Sequence, residues 1–109
     1  WVYSATFLIN TQMSFVYIIH SQKADRFYIG FTTILFEQRL ANHNVKYYEN
    51  KFTAFTNDWE EFLIIQCDSN NQARLIESHI KRMKSKSYIM NLKKYPEMII
   101  KLKDKYKNS

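Results

Sequence analysis

Glycine occurs once in this sequence of 109 residues, at position 30. A folded chain with one glycine has kept it where a side chain would obstruct something. The usual reasons are a positive φ, a bulge, or another group pressed against the main chain. Gly30 closes the triplet Tyr28-Ile29-Gly30, and residues 18 to 27 separate it from an earlier aromatic triplet, Phe15-Val16-Tyr17. Arg39 and His43 follow, four apart, and then Glu77. Together these residues point to a site.

The length suits one domain with a single core. Hydrophobic residues at 46% and aromatics at 17% favour a folded globular class over disorder. The lone Cys67 excludes an intrachain disulfide and fits a reducing compartment, the cytoplasm. No apolar stretch reaches the roughly 18 residues that would suggest a membrane span. Residues 1–75 carry six Lys/Arg against seven Asp/Glu, whereas residues 76–109 carry ten against three. That asymmetry suits a polyanion such as nucleic acid, although exposed lysines also make a merely solubilising face.

Residues 1–12 hold no charged residue and lack the basic start and small-residue cleavage site of a signal peptide. They are expected to be an extension before a domain beginning at Met13, with an added edge strand through residues 2–9 as the alternative. Residues 14–20 alternate as a strand, Phe15, Tyr17 and Ile19 on one face and Val16 and Ile18 on the other. A polar connection leads to a second strand at 26–31, with Tyr28 and Gly30 on one face and Phe27, Ile29 and Phe31 on the other. Thr32 or Thr33 could cap a helix over 34–43. Residues 44–60 read as a long loop, and 61–67 (EFLIIQC) as a short apolar strand suited to the centre of the sheet. Ser69, Asn70 or Asn71 could cap a helix over 72–84 with a stripe of Ala73, Ile76, Ile80 and Met83. Pro96 suits the first turn of a last helix, packed through Met98, Ile99, Leu102 and Tyr106, with lysines 101, 103, 105 and 107 outside. The order β-β-α-β-α-α predicts an α+β fold in which helices flank a small three-stranded antiparallel sheet. The domain would span 13–92, with 93–109 a basic helix packed on it.

Arg39 and His43 share a helix face, where a guanidinium and an imidazole can grip a phosphate; two unrelated exposed residues would show the same spacing. Glu77 sits on the shoulder of the apolar stripe. It is compensated either by Lys81 one turn on, or by a divalent ion, for which a lone carboxylate suits magnesium with manganese as a substitute. Tyr17 and Tyr28 are either core-lining tyrosines or phenols whose proton has been made labile.

In order, these residues resemble the GIY-YIG nuclease superfamily. Phe15-Val16-Tyr17 and Tyr28-Ile29-Gly30 match its two triplets, Arg39 and His43 in FEQRLANHN its helical pair, and Glu77 in ARLIESHIKRMK its metal-binding acid. The likeness covers about residues 14–92. More narrowly, the chain is similar to the short stand-alone bacterial proteins related to the amino-terminal nuclease domain of the excision-repair protein UvrC, with Lys51-Phe52-Thr53 and Asp58-Trp59-Glu60 as further matches.

The resemblance implies DNA phosphodiester hydrolysis with one Mg2+ or Mn2+ ion. Tyr17 would be the general base or its relay, Arg39 the stabiliser of phosphoryl charge and Glu77 the metal ligand. Tyr28 would orient water or phosphate, His43 would assist proton transfer, and Lys51 would tune a phenol or touch phosphate. Gly30, Lys81, Lys84 and Lys86 would lie along the nucleic acid, and Asn91 loosely matches a late polar position. Phe15 replaces the family's first glycine. The implied partners are DNA, branched or flapped, and a targeting protein, for a monomer or weak homodimer with a role in DNA repair. The competing reading is a basic DNA- or RNA-binding module that does not cut; a protein-interaction domain comes third.

Overall fold

The computed structural model describes residues 14–33, 36–44 and 56–108, with Phe36 and Glu37 described through their backbone alone. Three strands and four helices follow one another in these segments: β1 (Ser14–Ser21), β2 (Arg26–Thr32), α1 (Phe36–Asn44), β3 (Trp59–Cys67), α2 (Asn70–Met83), α3 (Lys86–Lys94) and α4 (Pro96–Lys105). The sheet is antiparallel in the order β2-β1-β3, which makes the fold α+β, as the patterning predicts. The expectations for residues 1–12 and for Lys51 lie outside the described residues.

β1 is the central strand, and its alternation sorts the core into two layers. Val16 and Ile18 join Ile65, Ala73, Ile76, Ile80, Ile89, Leu92 and Leu102, on the side covered by α2, α3 and α4. Tyr17 and Ile19 join Trp59 on the other side, where Leu40 of α1 packs. Among the described residues, the apolar run 61–67 therefore belongs to an outer strand of the sheet, and β1 holds the centre. Its unbroken look has a physical cause in a bulge between Ile18 and Ile19, where pairing jumps from Leu63 to Glu61. The skipped residue, Phe62, packs on the same layer as its neighbour Leu63.

Several boundaries differ from expectation. Thr32 pairs with Phe15 and is the last residue of β2, so the second strand runs one residue further than expected. Asn44 ends α1 and Trp59 begins β3, which narrows the expected loop from both sides. Ser69 is the cap of α2, its hydroxyl accepting from the Gln72 N–H at 3.0 Å. Lys84 ends that helix in the left-handed region, and Met83, the last member of the expected stripe, is 45% exposed. The nine residues of α3 form a helix missing from the expected order, capped by the Ser85 hydroxyl on the Tyr88 N–H.

Two polar brackets hold the frame. The Asp58 carboxylate accepts from the Ser21 and Thr56 hydroxyls, each at 2.6 Å, and from the Lys23 N–H at 3.0 Å, tying the β1–β2 turn to the start of β3. These bonds hold its carboxyl well below the usual range. Buried Gln72 accepts from the Asp68 N–H at 2.6 Å and donates to the Lys103 carbonyl at 2.9 Å, fastening α4 to the first turn of α2.

Candidate active site

Tyr17 and Gly30 are register partners on β1 and β2. The Gly30 φ is not positive, so conformational freedom is not its purpose. A Cβ built there would fall onto Cζ and Oη of Tyr17, so the glycine exists to let the phenol lie across β2. Close approach is the reason the sequence left open.

The other side of that phenol meets α1. Tyr17 Oη and His43 Nε2 lie 2.9 Å apart in a buried contact. Tyr28 closes the group, its ring centroid 6.3 Å from Tyr17 and 5.1 Å from His43. Tyr17 is 2% exposed and Tyr28 half-buried, so solvent meets the second phenol first.

Asn44 is the last residue of α1. Its amide accepts from the Trp59 N–H at 2.7 Å and donates to the Trp59 carbonyl at 3.0 Å, so the last turn of α1 is bracketed to the start of β3. His43 is thereby held over Tyr17. The end of a helix favours a cationic imidazole, but burial, with Arg39 nearby, outweighs it and pushes the His43 pKa down to about 4. The ring is neutral at pH 7 and can accept the phenol proton when its own proton sits on Nδ1.

Arg39, one turn earlier, donates from Nη2 to the Phe31 carbonyl at 3.4 Å, which brings its guanidinium to β2. α2 approaches the same strand from the opposite face of the sheet. Arg74 lies 5.5 Å from the Phe31 ring centroid, and the Lys81 ammonium reaches round the sheet edge to 6.0 Å from the Tyr28 ring. Lys81 also pairs with Glu77 at 3.2 Å, and the Glu77 side chain is 20% exposed. The ion pair anticipated at i+4 is therefore present, and it sits beside Tyr28.

The remaining expected positions scatter. Lys84 and Lys86 line a cavity of about 400 Å³ with Arg26 and Phe27, beyond the end of α2. Lys86 is engaged there, bonding the Asp25 carboxylate at 3.1 Å. Asn91 is exposed on α3. Cys67 is buried, and that burial raises its thiol to about 11. Sequence reasoning passed over Asn44, although a side-chain amide closing a helix before a polar stretch is a recognisable cap signal.

The family model for the GIY-YIG catalytic domain matches residues 13–94. The chain belongs to the GIY-YIG family. No curated protein and no solved structure matches it. This GIY-YIG domain carries its two triplets on β1 and β2, and α4 lies beyond the matched residues. Membership in a family of catalytic domains supports nuclease activity. Among the described residues, no helix is long and apolar enough to cross a membrane.

The donor set bears on a metal ion. Among the described residues, no group of three or more His, Cys, Asp or Glu could hold one. A lone carboxylate such as Glu77 fits an ion that keeps several waters and takes its other oxygens from a phosphate, the habit of magnesium.

Proposed function

We propose that this GIY-YIG domain is an endonuclease that hydrolyses DNA phosphodiester bonds with one divalent ion, Mg2+ or Mn2+, and selects DNA by structure, such as branches or flaps. The observation that carries the reading is the Tyr17–His43 contact at 2.9 Å, capped by Tyr28 and flanked by Arg39. A buried phenol bonded to a neutral imidazole is a pair through which a proton can move.

In this reading an attacking water gives its proton to Tyr17 Oη as the phenol proton passes to His43 Nε2. Hydroxide attacks phosphorus in line, and the 3′ oxygen leaves. Arg39 meets the charge that grows on the phosphoryl oxygens, and Tyr28 orients the water or the phosphate. Glu77 would hold the metal, giving up Lys81 to do so, and a bound divalent ion would polarise the phosphate and neutralise the leaving oxygen. Lys51 would assist a phenol or the phosphate, and Lys81, Lys84 and Lys86 would line the path of the DNA. A targeting protein and a role in excision-type repair fit a domain with a single site.

The test compares wild type with Glu77→Gln, Arg39→Ala and Tyr17→Phe on plasmid and branched DNA, in magnesium and in EDTA, with circular dichroism checking the fold. Nicking that needs magnesium and falls by at least about 100-fold in each variant is expected. Undiminished cutting by Glu77→Gln overturns the reading. The alternative, a DNA- or RNA-binding module that does not cut, is favoured by the ion pair that occupies Glu77. Binding by anisotropy with every substrate intact in both conditions would select it.

A further inference from the structure

α4 lies outside the family match, yet it is built into the domain through buried Leu102 and the Gln72 bond to Lys103. It packs on the Val16–Ile18 layer, the sheet face opposite Tyr17 and His43. α2, on the same face, reaches the Tyr28 ring through Lys81, whereas buried Leu102 of α4 packs within the Val16–Ile18 layer.

The lysines here fall into two sets. Lys103 approaches Asp68 at 3.9 Å, and Lys107 pairs with Asp104 at 3.0 Å. Among the described residues, no carboxylate lies within 4.0 Å of Lys93, Lys94, Lys101 or Lys105. Lys101 and Lys105, one turn apart, line a groove of about 190 Å³ with Tyr88, Met98 and Leu102. Aromatic rings hold three of these cations in place: Lys93 over Phe62 at 4.6 Å, Lys94 over Tyr95 at 5.4 Å and Lys105 over Tyr106 at 5.6 Å. The outer ridge is different. Glu97, Ile100 and Asp104 share it at helical spacing, so its one exposed apolar residue is flanked by acids. That pattern disfavours an anionic membrane laid across the helix and favours a narrower polyanion seated on the flank next to α3.

We propose that the α3–α4 groove is a second docking surface for duplex DNA, gripping the phosphate backbone of a segment other than the one at Tyr17 and Tyr28. The inference rests on the nuclease reading for the identity of the polyanion. Each lysine that neutralises a phosphate adds about 0.9 to the slope of log affinity against log salt. Binding therefore carries a signature for each pair of lysines.

The experiment measures anisotropy of a labelled 40-base-pair duplex across a salt series in EDTA, for wild type, Lys101→Ala/Lys105→Ala and Lys103→Ala/Lys107→Ala. The first pair is expected to lower the slope by about 1.8 and weaken binding at 0.15 M salt by roughly 10- to 30-fold. The second pair removes the same charge from α4 and the turn that follows it, and is expected to change binding by less than about 2-fold. With magnesium, the first pair should raise KM and leave kcat unchanged. Equal effects of the two pairs, or no effect of either, overturn the proposal. So does tighter binding of phosphatidylserine vesicles or an acidic peptide through Lys101 and Lys105 with DNA affinity unchanged. If wild type cuts DNA and the first pair binds as wild type does, only this inference fails. If wild type neither binds nor cuts, the nuclease reading fails with it.

Discussion

The phenol of Tyr17 rests against the α-carbon of Gly30 across the β1–β2 pair, and a methyl group at position 30 would occupy the place of its Cζ and Oη. The ring cannot stay where it is if position 30 gains a side chain. Gly30→Ala is accordingly expected to push Tyr17 off His43, at a cost of about 1–3 kcal/mol for the forced shift. Thermal unfolding and nicking assays on one preparation would check it; wild-type values in both would refute the close-approach account.

The burial of His43, with Arg39 nearby, predicts a pH effect with a definite sign. The imidazole titrates near 6.5 in an unfolded chain and is pushed down to about 4 in the fold. Between those values the unfolded state binds more protons, so stability falls as pH drops from 6.5 toward 4, by at most about 1.4 kcal/mol per pH unit. Above 6.5 this contribution is constant. Urea melts of wild type and His43→Gln from pH 4 to 8 should differ in slope only inside that window.

Asn44 is the least obvious position of consequence. Asn44→Ala removes both bonds to Trp59 and leaves that backbone N–H and C=O without the amide that meets them. A loss of about 1–3 kcal/mol is expected, with faster hydrogen exchange at the Trp59 amide. Activity should fall although Asn44 touches none of the candidate catalytic groups.

Gln72 makes a parallel prediction on the other side of the sheet. Gln72→Ala strands the Asp68 N–H and the Lys103 carbonyl, and α4 should loosen before the sheet does. Hydrogen exchange would read this as lost protection over residues 98–106 with β1 unchanged. Uniform loss across both would mean that α4 is not a separable unit.

Much of this molecule was legible in its residues, for reasons that differ by element. The two faces of β1 and β2 follow from a period of two, and α2 from a serine cap before a stripe at three- and four-residue spacing. α3 escaped because it is nine residues long and buries only Ile89 and Leu92, too few points to define a period. β3 was misplaced in the sheet because the bulge at Phe62 turns two consecutive apolar residues to one side and mimics a strand buried on both faces. The site was legible as an ordered set of residue types. That Tyr17 should touch His43, and that Lys81 should reach Tyr28 from the opposite face, depends on how helices cross the sheet, which no local pattern encodes.

Because neighbouring positions of β1 serve opposite layers, the strand has almost no tolerance for sliding. A displacement by one position would carry Tyr17 into the aliphatic layer and put Val16 beneath the imidazole, exchanging chemistry for packing in a single move. The extra residue at Phe62 works against that error, since its kink fits only one alignment of β3 on β1. Changes that straighten β3 would thus endanger catalysis through misalignment, even where every candidate catalytic side chain is retained.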